Sequence, residues 1–405
     1  MGLTRRGFLD AGAKGVLAAA TAPLWLDTSL ARALQRGERP PLLAVVFLRG
    51  AADGLHVLPP IGDRLYASTR KTLALRETLP FVKGFGVHPE MAPLQPLIER
   101  RQLAVVHACG SPEINRSHFE AQDRVEAGEV GRRSASSGWL ARGLSGAGGP
   151  SPFASLALTS QLPLAMHGAG GFAIGEPEDF GLPGASRRAR EALLRDYTSD
   201  PDPVFSRSGA RALEALDEYE QRMGSPRDTG PRSQQGKRRR RGGKLAHQVD
   251  NLLRIEASGL PVRAVFLETS SWDTHQNQGT EKGSMANSLR DLATAIEKLS
   301  EGLQERREWL LMVHTEFGRT VAPNGSRGSD HGHGSVALVA GTRVRGGLYG
   351  DWPGLREADL SEGRDLAVTT DYRSVAWEVL RGHLGQAPPR ETFPGFEASP
   401  LGLLG

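Results

Sequence analysis

Two short motifs place metal-ligating side chains almost side by side. Trp272-Asp273-Thr274-His275 carries a carboxylate and an imidazole two positions apart, so in an extended loop both point the same way. Asp330-His331-Gly332-His333-Gly334 is the densest cluster of such groups in the chain, and its glycines let backbone approach an ion closely. Oxygen from Asp with nitrogen from His suits a divalent ion. The histidines tilt the choice toward zinc or manganese, while magnesium and calcium would use the carboxylates. Asp53, in Arg49-Gly50-Ala51-Ala52-Asp53-Gly54, and His118, in Asn115-Arg116-Ser117-His118-Phe119, extend the set. The candidate ligands are therefore Asp53, His118, Asp273, His275, Asp330, His331 and His333, enough for one or two ions. Two ions would clamp the attacking and leaving oxygens of an ester displacement. Ser117 is a candidate nucleophile, or else the cap of a helix beginning at His118. Glu316 and Arg319, in His314-Thr315-Glu316-Phe317-Gly318-Arg319, are further site candidates, and Arg319 or Arg116 would steady an anion. The other histidines, among them His56, His88, His314 and His383, read as ordinary loop or core residues.

These motifs have to be gathered by the elements between them. Leu42–Leu48, Leu103–Val106, Val262–Leu267, Trp309–Val313 and Val336–Ala340 are short, continuous apolar runs rich in β-branched residues. Continuous rather than alternating runs predict strands covered on both faces. Helical spacing fills the gaps: Pro89–Arg101, Ser284–Arg306 with Leu289, Leu292, Ile296, Leu299 and Leu303, and Asp371–Leu384 with Val375, Val379 and Leu380. The alternation predicts an α/β fold with a doubly wound, mostly parallel sheet and helices on both faces. In such a sheet the loops beyond the strands' carboxyl ends share one edge. Four of the polar motifs follow a predicted strand; Asp330–Gly334 precedes one.

The chain has 405 residues and a formal net charge of +4, too small a balance to point to nucleic acid. One cysteine, Cys109, excludes an intramolecular disulfide and a cysteine-rich metal site. Thr4-Arg5-Arg6-Gly7-Phe8-Leu9, a weakly apolar stretch from Ala11 to Leu26, and Ala31-Arg32-Ala33 read as a twin-arginine export signal over residues 1–33. That predicts a partner, the twin-arginine translocation machinery, and a periplasmic or extracellular protein exported already folded. No later stretch is long enough to span a membrane. Residues 34–405 are expected to form one α/β domain. The Gly-, Ser- and Arg-rich stretch 224–243, containing Lys237–Arg241, is read as a flexible basic insertion.

Taken together, these motifs resemble the bacterial exported family known as domain of unknown function 1501, of the alkaline-phosphatase/sulfatase-like superfamily. The resemblance rests on Phe47–Leu55, Val87–Pro89, Arg116–Phe119, Gly138–Arg142, Trp272–His275, Glu316–Arg319, Ser329–Gly332, Gly346–Gly350 and Thr370–Arg373. It implies an alkaline-phosphatase-like fold holding one or two divalent metals, with Asp53 as the first-strand ligand and Asp330-His331 as the superfamily's Asp-His pair. It also implies Asp273 and His275 on the other metal, with Ser117 nearest to the nucleophile. The expected function is a metal-dependent hydrolase of phosphate or sulfate esters acting on a small-molecule or polymer substrate. The alternative is a non-catalytic exported binding or scaffold protein that keeps the fold. A sulfatase's Cys/Ser-x-Pro-x-Arg setting is absent, since Cys109 is followed by Gly110-Ser111-Pro112.

Overall fold

The computed structural model describes residues 41–131, 136–145, 151–168, 171–182, 187–199, 201–224 and 243–405. Residues 1–33, expected to be an export signal, and residues 225–242 of the expected basic insertion lie outside them.

Leu42–Leu48 forms strand β1 with all seven side chains buried. Leu42, Ala44, Val46 and Leu48 enter the core on one face of the sheet. Leu43, Val45 and Phe47 enter the core on the other. Burial on both faces explains why the run does not alternate, and each large apolar side chain so buried contributes about 1.5–3 kcal/mol. In chain order the further strands are β2 (Leu79–Val82), β3 (Phe85–Val87), β4 (Leu103–Gly110), β5 (Ser155–Ala157) and β6 (Phe172–Ala173). They continue with β7 (Ala264–Thr269), β8 (Trp309–Thr315), β9 (Ser335–Gly341), β10 (Gly347–Tyr349) and β11 (Thr370–Asp371). The main sheet runs β10-β4-β9-β8-β1-β7-β5-β6 with β11 beside β4, while β2 and β3 pair separately.

The principal helices are α1 (His118–Ala127), α2 (Lys244–Ala257), α3 (Ser284–Leu303) and α4 (Tyr372–Leu384). α2 and α3 bury Leu245, Val249, Leu252, Leu289, Leu292, Ile296 and Leu299 against the face that holds Leu42. α4 packs Val375, Val379 and Leu380 on the opposite face. The fold is thus the expected α/β class, with helices on both faces of a mostly parallel sheet.

The structure departs from the sequence reading in two places. Pro89–Arg101 is not one helix but a 3-10 segment, Pro89–Leu94, followed by a short helix, Gln95–Glu99. Pro93 and Pro96 lack the N–H groups a continuous α-helix would use. More important for the site, β9 pairs antiparallel with both β8 and β4, whereas β1 is parallel to β7 and β8. The start of β9 therefore lies at the same edge as the ends of β1, β7 and β8. That is how a motif preceding a strand reaches the loops that follow the others.

Candidate metal centre

Three loops and one helix meet at this edge. The loop after β1 brings Gly50 and Ala51, the loop after β7 brings Asp273 and His275, and the β8–β9 connection brings Glu316, Arg319, Asp330 and His331. Helix α1 begins with His118. The loops touch closely. A Cβ at Gly50, whose φ is +113°, would lie 2.5 Å from the backbone nitrogen of Asp273. One at Gly332 would lie 2.4 Å from the carbonyl carbon of Arg319. Only glycine permits either approach.

Arg319 ties the loops together from beneath. Its side chain is fully buried. It donates to the carbonyls of Ala51 at 2.9 Å, Ser329 at 2.9 Å, Gly50 at 2.8 Å and Trp272 at 3.2 Å. It also donates to Asp273 Oδ1. Arg319 is therefore a buried clamp on the backbone and on Asp273, with no donor fork presented to an incoming anion. Arg116 is likewise engaged, by Asp365 and Glu362.

Around Asp273 Oδ1 stand three imidazole nitrogens: His275 Nε2 at 3.1 Å, His118 Nε2 at 3.5 Å and His331 Nε2 at 3.6 Å. The outer nitrogen of each ring faces an acceptor. His118 Nδ1 meets Glu316 Oε1 at 2.8 Å, His331 Nδ1 meets the Arg116 carbonyl at 2.7 Å, and His275 Nδ1 meets Asp330 Oδ1 at 3.0 Å. Those acceptors assign the ring proton to Nδ1 in all three and turn three Nε2 lone pairs inward. His275 Nε2 and His331 Nε2 then lie 2.8 Å apart, a repulsive contact for two neutral rings of this tautomer. His118 Nε2 is buried with no hydrogen-bond partner. A cation among these atoms would resolve both features. Among the described residues, His118, Asp273 and His331 are the group whose ligand atoms, all within 4.8 Å of one another, could hold a metal ion. Imidazoles fixed through Nδ1 by carboxylate or carbonyl are the usual support of such ligands.

The electrostatics agree with that arrangement. Burial alone would raise the Asp273 carboxyl, but Arg319, with His275 and His118, holds it below its ordinary value. Burial would also raise Glu316; hydrogen bonds from His118, Gln122 and backbone N–H groups hold it down instead. The Glu316 hydrogen bond pushes His118 up. Burial lowers His331, keeping it neutral. Asp330 is lowered chiefly by the Asn324 side chain, whose amide also donates to the His275 carbonyl at 2.9 Å.

The structure thus brings together His118, Asp273, His275, Asp330 and His331, with Glu316 and Arg319 behind them. It leaves two expected ligands outside. His333 turns its ring away, with Nε2 2.9 Å from the Ser111 carbonyl and Nδ1 3.3 Å from Ser361 Oγ. Asp53 is buried in an ion pair with Arg70 at 2.6 Å. Ser117 occupies the N-cap position of α1, but its hydroxyl makes no capping bond and has no base hydrogen-bonded to it among the described residues. Sequence reasoning missed Asn324, Gln122 and Gln278. Lone polar residues in loops or on a helix face carry no spacing signal that would single them out.

Residues 42–386 match the family described as "Protein of unknown function (DUF1501)". No curated protein matches the chain. Among solved structures, Ps i-CgsB in complex with k-i-k-neocarrahexaose is similar at 11% identity and a TM-score of 0.37, over 88% of this chain and 74% of that one. The PsFucS1 sulfatase from Pseudoalteromonas sp. is similar at 12% identity and a TM-score of 0.33, over 88% of this chain and 70% of that one.

Proposed function

The chain belongs to the DUF1501 family, and we propose that it is a metal-dependent hydrolase of phosphate or sulfate esters, exported by the twin-arginine route. The observation that carries this reading is the convergence of three Nδ1-anchored imidazoles on one Asp273 oxygen. His118, Asp273 and His331 would hold the ion. When bound, a divalent ion polarises an ester oxygen and makes a coordinated water more acidic. His275 sits on the open side, its side chain 39% exposed and that of Asp330 54%. Its Nε2, beside the ligand atoms of Asp273 and His331, would take a proton from the attacking water, and Asp330 would hold Nδ1–H and stabilise the imidazolium, while the leaving oxygen, on the opposite side of the in-line displacement, takes its proton from solvent. Glu316 does the same orienting work for His118 from a buried position. Since Arg319 and Arg116 are engaged within the protein, the charge of the ester group falls to the ion. Ser117, without a base, is left aside as nucleophile.

The same engaged arginines and unactivated Ser117 favour a second reading, a binding protein that holds an ion and an acidic ligand without turnover. One experiment separates them. The mature protein, purified without chelators, is analysed for metals and assayed on aryl phosphate and aryl sulfate esters. We expect one equivalent of a divalent ion, lost in His118→Ala. His275→Ala should lower turnover by roughly 100-fold or more, and Ser117→Ala should leave it unchanged. A folded protein with no stoichiometric ion refutes both readings; an ion with no turnover on any ester selects the second.

A further inference from the structure

Beneath the crevice lies a second, wholly buried polar cluster that plays no part in the reading above. Asp53 is 1% exposed, and His56, Arg70 and Gln278 are fully buried. Asp53 Oδ1 accepts the Leu55 N–H at 3.1 Å and caps the short helix Gly54–Val57. Its Oδ2 accepts from Arg70 Nη2 and from Gln278 Nε2, each at 2.6 Å. The same Arg70 Nη2 is 2.8 Å from His56 Nδ1. His56 Nε2 faces the Gly279 carbonyl at 3.1 Å, which assigns the ring proton to Nε2 and makes Nδ1 an acceptor. Arg70 Nη1 completes the set, donating to the carbonyls of Thr320 at 3.2 Å and Val321 at 3.0 Å.

A carboxylate oxygen, an imidazole nitrogen and two carbonyl oxygens thus surround one cationic head. That is the donor chemistry of a cation site, filled here by a side chain of the protein itself. Nor is it isolated from the ion centre. Gln278 Oε1 accepts from Thr274 Oγ1 at 2.9 Å and from Ser329 Oγ at 2.6 Å. Thr274 stands between Asp273 and His275, and Ser329 adjoins Asp330. Asp53 fixes the Gln278 amide, and Gln278 fixes both ligand loops.

We propose that the guanidinium of Arg70 is a built-in cation occupying a second cation cradle, so that the protein takes one exchangeable ion rather than two. The stoichiometry rests on the ion reading of the preceding subsection; the cradle does not. The residue that the two-ion expectation assigned to this place, Asp53, already has its positive partner, and so does the His56 ring beside it.

The test combines melting and metal analysis of the full protein. Arg70→Ala removes the cation from a buried carboxylate and should lower the melting temperature by roughly 5–10 °C. Ethylguanidinium should restore at least half of that loss and leave the wild type unmoved. Metal analysis of the wild type loaded with zinc or manganese should give no more than one tight equivalent. If Arg70→Ala does not fold, Arg70→Met is compared with Asp53→Asn/Arg70→Met, which removes both charges. The double variant should melt above the single one. The proposal is overturned if Arg70→Ala melts with the wild type, if ethylguanidinium restores nothing, if the double variant gains nothing over Arg70→Met, or if the wild type holds two ions. A wild type that holds none sinks the ion reading alone, and the melting data still decide the cradle.

Discussion

Replacing Glu316 by glutamine isolates a single buried charge behind the candidate ligands. In the wild type, Oε1 accepts from the Gly50 N–H at 2.8 Å, His118 Nδ1 at 2.8 Å and Gln122 Nε2 at 3.0 Å. Oε2 lies 2.9 Å from Thr315 Oγ1, whose hydroxyl also reaches the Leu48 carbonyl at 2.7 Å. In Glu316→Gln the amide oxygen keeps the first three bonds. Its NH2 donates to Thr315 Oγ1, whose own proton goes to Leu48. The second hydrogen of that NH2 meets no acceptor the wild type provides, so the change removes the charge and leaves one buried N–H unpaired. A hydrogen bond to a charged group is worth about 1.5–3 kcal/mol and a neutral one about 0.5–1.5 kcal/mol. The hold on His118 therefore weakens by about 1 kcal/mol. Partners of this kind affect metal affinity by roughly 10–100-fold, and we expect the lower end of that range. Glu316 also raises the His118 pKa, so in the wild type protons compete with the ion as pH falls through that raised value. Without the charge, this acid limb should move to lower pH. The assay is competition against a chromophoric chelator between about pH 5 and 8. An affinity within twofold of the wild type with an unmoved acid limb would refute the role given to Glu316.

Two further outcomes follow from buried groups. Arg319→Lys keeps the charge but leaves loop carbonyls unpaired; we expect a loss of about 3 kcal/mol or more by urea unfolding, and an unchanged midpoint would show that the clamp is not structural. His314 is buried against Phe47 and Tyr372, and burial lowers its pKa to about 3. An unfolded histidine titrates near ~6.5. The unfolded state thus binds a proton that the folded state refuses, and stability is full above about pH 6.5 and falls toward about pH 3, by about 1.4 kcal/mol per unit. His314→Phe should flatten that slope by one proton between urea melts at pH 5 and 7; an identical slope would count against it.

Much of the scaffold was legible because burial on both faces leaves a plain signature. Leu42–Leu48 is read with its observed bounds, and Ser284–Arg306 ends only three residues past the observed helix at Leu303. The Asp273/His275 and Asp330/His331 pairs were legible because spacing in a loop constrains direction. The direction of β9 was not, because an apolar run looks the same either way. Nor was the fate of Arg319. Its position beside Glu316 suggests an anion contact, and only the packed structure shows four carbonyls around it. Asp53 and Arg70 find each other across a mixed, largely apolar stretch, residues 54–69, without a single periodicity, and His333, two residues from His331, turns its ring to Ser111 and Ser361 instead.

The reversed strand has a consequence for how the protein assembles. Since β8 and β9 are joined without a crossover, the segment carrying Glu316, Arg319, Asp330 and His331 forms its ladder from contacts near in sequence. His118 and Asp273 arrive only when β4 and β7 have docked, which requires closing far longer stretches of chain. Half of the centre is therefore laid down early and half late, and a cation offered during refolding should find its full set of ligands only in the last steps.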